Sequence, residues 1–147
     1  FLVRLEPFTA LARQLQGGRF DVADRLFWSV RKTWAGCVQS MAEVKELTPE
    51  WYCNPAFLRN SNRLHLGHTQ AGTEVGDVEL PPWARSPAHL VQTLRRALEG
   101  EYASALLHCW IDLIFGHLQR GRGAEEHLNV FFPLTYEGAV DLADLER

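Results

Sequence analysis

Cysteine is scarce in this sequence of 147 residues, which contains only Cys37, Cys53 and Cys109. The three lie far apart and form no CxxC pair, so neither a disulfide framework nor a zinc ribbon is expected. Unpaired thiols of this kind are typical of the reducing cytosol. The sequence therefore predicts a cytoplasmic protein.

The sequence also lacks an excess of positive charge and a long apolar run. Fifteen basic residues are outnumbered by eighteen acidic ones, which gives a formal net charge of −3, and the basic residues are scattered. A nucleic-acid partner is therefore not expected. The longest apolar runs fall far short of the roughly 18 residues that would span a bilayer. The first residues, FLVRLEPFTA, lack the charged region and the cleavage site of a targeting segment.

Apolar residues make up 46% of the sequence, which is enough for one globular domain with a core. Apolar periodicity and capping residues predict helices near both ends of the chain. The predicted helices lie within EPFTALARQLQGG, from Asp21 to Trp34, within SPAHLVQTLRRALEG, and from about Glu101 to Leu118, with short helical turns near Glu50 to Leu58.

Residues 48–86 differ from both ends, because they contain four prolines and three glycines. They are nevertheless too rich in aromatic and aliphatic residues for a flexible linker, so ordered extended chain is expected. In the stretch GTEVGDVELPPWA, period-two spacing places Val78 and Leu80 on one side. Trp83 is expected to anchor the turn into the next helix.

Ser104, His108 and Asp112 recur every four residues on a narrow polar stripe of the last long helix. A hydrolase could use them as a triad. Nucleophilic catalysis also needs an oxyanion hole, however, and mid-helix amides are already hydrogen-bonded. The pattern therefore favours a hydrogen-bonded structural seam in a buried helix. We expect Trp110 and Ile111 to be almost wholly buried and Asp112 to contact nearby donors.

Two other patterns are weaker. His65 and His68 lie in a glycine-containing loop with no cysteine or carboxylate to complete a metal set, so surface histidines are expected. The run GRGAEEHLN lacks the GxxxxGK[ST] pattern and follows a helix, so its glycines are predicted to end that helix and form a turn. No catalytic residue, metal or cofactor is predicted.

Seven blocks of the sequence resemble, in order and spacing, the BEACH domain of the beige and neurobeachin proteins. They are LVRLEPFT, LQGGRFDVADRLF, VKELTPE, NSN, GDVELPPWA, WIDLIFG and LNVFFPLTYEGAVDL. The resemblance implies a mainly α fold in which helices surround extended, irregular core segments. It also implies that residues 1–147 are a partial BEACH domain, whose N-terminal part and extreme C-terminus are absent from the chain.

The residues that carry this resemblance in the last third of the chain are expected to be structural. They are Trp110, Ile111, Asp112, Leu113, Ile114, Phe115, Gly116, Asn129, Tyr136, Glu137 and Gly138.

The resemblance implies no catalytic residue and no cofactor. It implies a non-enzymatic scaffold in a large cytosolic protein that acts in vesicle traffic, membrane fusion and fission, lysosome-related organelles or autophagy. Expected partners are trafficking proteins, together with the PH-like domain and the WD40 repeats that usually flank a BEACH domain. Peripheral association with endomembranes is expected through the full-length protein. A hydrolase that uses Ser104, His108 and Asp112 is the alternative.

Trp28 breaks the pattern of the helix predicted from Asp21 to Trp34, because it lies on the polar arc of that helix. We expect it to be markedly more exposed in this chain than Val22, Leu26 or Val30, which lie on the apolar stripe.

Three interpretations of Trp28 remain open. It packs against a part of the domain absent from this chain, or it anchors a partner together with Arg25, Arg31 and Lys32, because tryptophan and arginine dominate interface energetics. Alternatively, it is simply exposed, with Arg25 or Lys32 lying over its ring as a cation–π pair.

Overall fold

A computed structural model describes residues 1–43 and 45–139 and divides the chain into two compact units, Phe1–Leu98 and Glu99–Arg147. The described residues form six α-helices: α1 (Phe8–Leu15), α2 (Val30–Gln39), α3 (Glu50–Cys53), α4 (Pro87–Leu98), α5 (Glu101–Ile114) and α6 (Gly121–Glu126). Three 3-10 turns lie at Ala23–Arg25, Pro55–Leu58 and Pro133–Thr135.

No strand occurs within these described ranges, which contain two isolated β-bridges, Ser29 with Glu79 and His68 with Glu74. The predicted mainly α fold is therefore confirmed.

Helices α1 and α4 form where capping residues and apolar periodicity predict them. α1 ends at Leu15 and is followed by Gly17 and Gly18, which adopt left-handed φ angles of 65° and 90°. The Gly18 N–H donates to the Arg13 carbonyl at 2.7 Å. The Ser86 hydroxyl accepts a hydrogen bond from the His89 N–H at 3.1 Å, which satisfies one of the free donors at the start of α4.

The predicted helix from Asp21 to Trp34 is wrong. A 3-10 turn is followed by non-helical residues 26–29, and α2 begins only at Val30. Here a tertiary partner replaces the local hydrogen bonds of a helix. The Trp28 carbonyl accepts from the Glu79 N–H at 2.8 Å, and the Val30 N–H donates to the Glu79 carbonyl at 3.0 Å.

The core of the first unit combines its short helices with the irregular chain. One buried cluster consists of Trp51, Phe57, Leu58, Val78, Leu90 and Val91. A smaller one consists of Ala23, Leu66 and Val75. Both clusters therefore draw on residues from the proline- and glycine-containing stretch 48–86, which is ordered as predicted.

The stretch GTEVGDVELPPWA has the predicted sidedness. Val78 is buried in the larger cluster, and Leu80 packs against that cluster from a half-buried position. Trp83 is exposed and meets the His89 ring edge-on, at 6.4 Å between centroids. The tryptophan thus contacts the first turn of α4, as expected.

A buried cation, Arg4, joins the irregular segments of the first unit. Its side chain donates from Nε to the Gly76 carbonyl at 2.8 Å and from Nη1 to the Phe27 carbonyl at 2.7 Å, and the residue is only 1% exposed. Burial lowers the pKa of Arg4 to about 10, and the carboxylate of Asp77 offsets part of that shift. The group therefore remains a cation at neutral pH and satisfies two carbonyls that lack a sheet partner.

We predict that Arg4→Lys destabilises the first unit. Lysine has one charged nitrogen in place of a planar fork, so it cannot hold both carbonyls in the same geometry. Loss of one hydrogen bond from a charged donor is expected to lower the free energy of unfolding by about 1.5–3 kcal/mol, measured by urea denaturation. Arg59→Lys, at an exposed position, is the matched control. Equal unfolding midpoints for the two variants would contradict this role of Arg4.

Candidate interaction surface

A concavity of about 840 Å³ lies in the first unit, between the Ala23–Arg25 turn, residues 26–29 and the start of α2. Trp28, Arg25 and Lys32 line it, so three of the four residues predicted to face a partner share one surface. Arg31 is exposed but is not among the described lining residues. We term this concavity the Trp28 groove.

Trp28 is half-buried and packs against the smaller core cluster. The Lys32 Nζ lies 4.6 Å from the centroid of the Trp28 ring, a cation–π contact worth about 0.5–1 kcal/mol. The expected cation–π contact is therefore present with Lys32 as the cation, although Trp28 is half-buried and not simply exposed.

The predicted order of exposure is wrong. Val22 is 55% exposed, whereas Trp28, Leu26 and Val30 are all half-buried. The predicted order assumed a helical stripe, and these residues lie instead on a turn, an extended segment and a helix start.

The charged side chains around the Trp28 groove are largely paired. The Val22 N–H donates to Asp21 Oδ1 at 2.7 Å and the Arg25 guanidinium donates to it at 2.5 Å; together they lower the pKa of the Asp21 carboxyl. Asp24 Oδ2 accepts from the Gln70 N–H at 2.9 Å. These carboxylates are thus committed to neighbouring donors.

The remaining wall of the Trp28 groove is mixed in character. Phe1, Ala35 and Gly36 contribute apolar surface, and Lys45 forms an ion pair with Glu43. The described wall of the groove thus combines a half-buried aromatic residue, apolar surface and paired charges.

The polar row on α5 is not a hydrogen-bonded seam. Within the described residues, no hydrogen bond joins Ser104 to His108 or His108 to Asp112. His108 Nε2 lies 3.4 Å from Cys109 Sγ, and Asp112 Oδ1 lies 3.5 Å from His117 Nδ1. The seam prediction is therefore wrong, although Asp112 does contact a nearby donor. The contact between nucleophile and base that a triad requires is equally missing from this row.

The predicted burial of the signature helix is also wrong. Trp110 is 53% exposed and Ile111 is 41% exposed. Trp110 packs edge-on against Phe115, with 5.9 Å between ring centroids, and Leu113 is half-buried. α5 is apolar around most of its circumference, and the described residues cover only part of it. The apolar composition of α5 indicates a helix that is buried by other residues. The described residues of this chain do not bury it.

Asn129 ties the end of α5 to the segment after it. Its Nδ2 donates to the Leu113 carbonyl at 2.8 Å and to the Leu118 carbonyl at 2.9 Å, while its own N–H donates to the Ala124 carbonyl at 2.8 Å. These bonds satisfy carbonyls that no longer have a helical partner. Asn129 thus has a structural position within the second unit.

Gly116 is required by a close approach. A Cβ at this position would lie 2.7 Å from the Asp112 Cα and 2.8 Å from Asp112 Oδ1. The chain leaves α5 at Phe115, so the glycine allows the backbone to turn tightly against the last helical residues.

The other signature residues lie mainly at the surface. The Tyr136 hydroxyl accepts a hydrogen bond from the Phe131 N–H at 3.0 Å. The exposed ones are Ile114, Phe115, Tyr136, Glu137 and Gly138, the last with a left-handed φ of 76°.

The described part of the chain contains neither a group of metal ligands nor a membrane-spanning helix. No three His, Cys, Asp or Glu side chains in residues 1–43 and 45–139 are grouped to hold a metal ion, and His65 and His68 are exposed. None of the helices in the same ranges combines the length and apolar character that crossing a bilayer requires.

Comparison with known proteins gives one consistent family. The family model of the Beige/BEACH domain matches residues 1–147. BEACH domain-containing protein B of Arabidopsis thaliana is 56% identical over 147 residues, which are 99% of this chain and 6% of that protein. BEACH domain-containing protein A2 of the same plant is 53% identical over 145 residues, 97% of this chain and 4% of that protein.

A relative of similar identity comes from another organism. BEACH domain-containing protein lvsD of Dictyostelium discoideum is 52% identical over 143 residues, 97% of this chain and 5% of that protein. The chain therefore spans only 4–6% of the length of these three relatives.

We predict that Gly116→Ala destabilises the second unit, because its methyl group would collide with the backbone of Asp112. Overpacking of this kind is expected to cost about 1–3 kcal/mol in the free energy of unfolding, followed by thermal or urea denaturation. Gly76→Ala is the control, since a Cβ there meets no atom within 4 Å. A Gly116→Ala protein as stable as the Gly76→Ala protein would show that the close approach is not required.

Proposed function

The chain belongs to the BEACH domain family, and from this membership we propose that it is a non-enzymatic interaction module that binds a protein partner in the Trp28 groove. In this proposal the full-length protein is a large scaffold that acts in vesicle traffic, membrane fusion and fission, and the control of lysosome-related organelles or autophagy. Family membership supports an interaction module, and the Trp28 groove supports binding of a protein partner at that surface.

The observation that carries the proposal is the placement of Trp28. It is half-buried, so its ring has a fixed orientation, and it lies on the wall of a concavity instead of inside the core. Lys32 lies over the ring, and Arg25 is oriented by Asp21. Pre-oriented aromatic and basic side chains lose little conformational entropy on binding, which makes them good interface anchors.

The partner that we propose is the PH-like domain expected beside a BEACH domain in the full-length protein. WD40 repeats and trafficking proteins are further partners in this proposal, which places the protein in the cytoplasm with peripheral association with endomembranes. A domain within the same polypeptide is always close by. A groove of moderate size is sufficient for such a partner, because the effective concentration of a tethered domain is high.

The geometry of α5 favours binding over hydrolysis. Ser104 and His108 are both exposed, and no hydrogen bond joins them in the part of the chain that the structure describes. The Ser104 N–H is already bonded to the Gly100 carbonyl at 3.0 Å, so it is not free to stabilise an oxyanion.

We predict that substitutions in the Trp28 groove weaken binding of the PH-like domain. Trp28→Ala is expected to raise Kd about 30-fold or more, as truncation of a central aromatic anchor does. Lys32→Glu, at an exposed position, tests the same surface without opening the core. Trp34→Ala is the matched control, because Trp34 is 72% exposed on α2 and is not among the described lining residues of the groove.

Calorimetry with the purified PH-like domain measures these affinities. Unchanged Kd for both Trp28→Ala and Lys32→Glu would exclude the groove as the binding surface. Turnover of esters or phospholipids that disappears in a folded Ser104→Ala protein would instead establish a hydrolase.

A further inference from the structure

A second concavity, of about 430 Å³, lies in the first unit and shares no described lining residue with the Trp28 groove. We term it the arginine pocket. Its charged and apolar lining consists of Arg13, Arg19, Arg63, His65, Phe20 and Leu64. None of the lining residues that the structure describes is acidic. Three arginines thus line one concavity in a chain with a net charge of −3.

The guanidinium groups of the arginine pocket have no carboxylate partner among the described residues. Arg13 donates to the Gly18 carbonyl, at 3.3 and 3.2 Å, and lies 5.8 Å from the Phe20 ring centroid. Arg19 and Arg63 are exposed, and their side chains form no hydrogen bond or ion pair with the described residues. Arg25 and Arg122, by contrast, each pair with an acid four residues away. Much of the donor capacity of the pocket is therefore unused.

Two constrained turns form the rim of the pocket. One is the turn at Gly17 and Gly18, whose left-handed φ angles favour glycine. The other carries Arg63, a non-glycine residue at a φ of 52°. Asn60 clamps this second turn, because its Oδ1 accepts from the Leu64 N–H and its Nδ2 donates to the Leu64 carbonyl, each at 2.9 Å. A residue in a sparsely populated conformation that its surroundings hold in place is a feature of functional sites.

We propose that the arginine pocket binds the phosphate groups of a polyphosphorylated polyol, the chemistry that inositol phosphates and inositol phospholipid head groups share. The planar guanidinium fork matches phosphate oxygens and binds them through two parallel hydrogen bonds. The volume of the arginine pocket falls within the range of small-ligand sites, roughly 300–1,000 Å³.

The number of cations favours this ligand over a phosphorylated peptide. Three arginines line a compact space and carry three positive charges, whereas a single phosphate monoester carries at most two negative charges. Several phosphates on a small ring match this charge better. The arginine pocket and the Trp28 groove have separate described linings, so a ligand in the pocket does not require a partner in the groove.

The direct test is calorimetric titration of the full chain with inositol trisphosphate. One hydrogen bond to a charged group changes affinity by roughly tenfold or more, so Arg19→Gln/Arg63→Gln is expected to raise Kd about 100-fold. The matched control is Arg59→Gln/Arg85→Gln, which removes the same charge at exposed positions outside the pocket. Its Kd is expected to change about twofold or less, because distant charges are screened.

Circular dichroism of both double variants separates loss of binding from loss of fold. A second pocket variant, Arg19→Lys/Arg63→Lys, keeps the charge but loses the fork, and its Kd is expected to lie between those of wild type and the glutamine variant.

Vesicles distinguish the two sources of the ligand. Cosedimentation with phosphatidylcholine vesicles that contain phosphatidylinositol bisphosphate, but not with phosphatidylcholine alone, supports the proposal and assigns the head group of a bilayer lipid. Binding of inositol trisphosphate without vesicle binding supports it and assigns a free ligand. The proposal is overturned if neither probe binds, if both double variants lose binding equally, or if a singly phosphorylated peptide binds more tightly than inositol trisphosphate.

Discussion

Hydrogen bonds from buried side chains to the carbonyls of irregular backbone hold the first unit together. Residues 26–29 and 72–80 meet at a single bridge pair, so most of their carbonyls have no sheet partner. Arg4 donates to the Phe27 and Gly76 carbonyls, one in each segment. Burial of the guanidinium is unfavourable, as its lowered pKa of about 10 indicates, but two buried carbonyls without a donor would also be unfavourable. The buried Arg4 guanidinium therefore supplies two of the hydrogen bonds that a neighbouring strand would supply in a sheet.

Side-chain donors also hold the backbone at the two candidate sites. Asn60 clamps the turn that carries Arg63 in the arginine pocket, and the neighbouring Asn62 donates to the Arg4 carbonyl at 3.5 Å. Residues 26–29, which Arg4 holds at one carbonyl, form a wall of the Trp28 groove. Both concavities thus rest on segments fixed by side-chain donors. In the second unit, Asn129 bridges two carbonyls in a comparable way. Interaction surfaces on irregular backbone need such anchors, because backbone that is free to move binds with a larger loss of entropy.

Local patterns predicted the elements that depend on local interactions. The cap at Ser86 and the glycines after α1 are short-range features, and the helices they bound lie where the sequence indicated. The helix expected over residues 21–34 failed because the backbone of Glu79 competes for its hydrogen-bonding groups, and no local pattern reveals a partner so distant in the sequence.

The residues at and behind the candidate sites also differ in how far the sequence indicated their roles. Trp28 breaks a pattern in the sequence and does line a groove, but it lies in the non-helical residues 26–29 and not on a helix face. Arg4 was not singled out, since arginine is usually exposed; its place inside the apolar run LVRL was the available signal. The most direct test of the role of Arg4 is amide hydrogen exchange in an Arg4→Met variant. Methionine fills similar space with an apolar side chain but lacks the Nε and Nη1 donors. If the buried guanidinium holds the segments together, the amides of Val30, Val78 and Glu79 will exchange about 100-fold faster, and all three together. Exchange at wild-type rates would show that the bridge and the apolar core suffice, and would contradict the account.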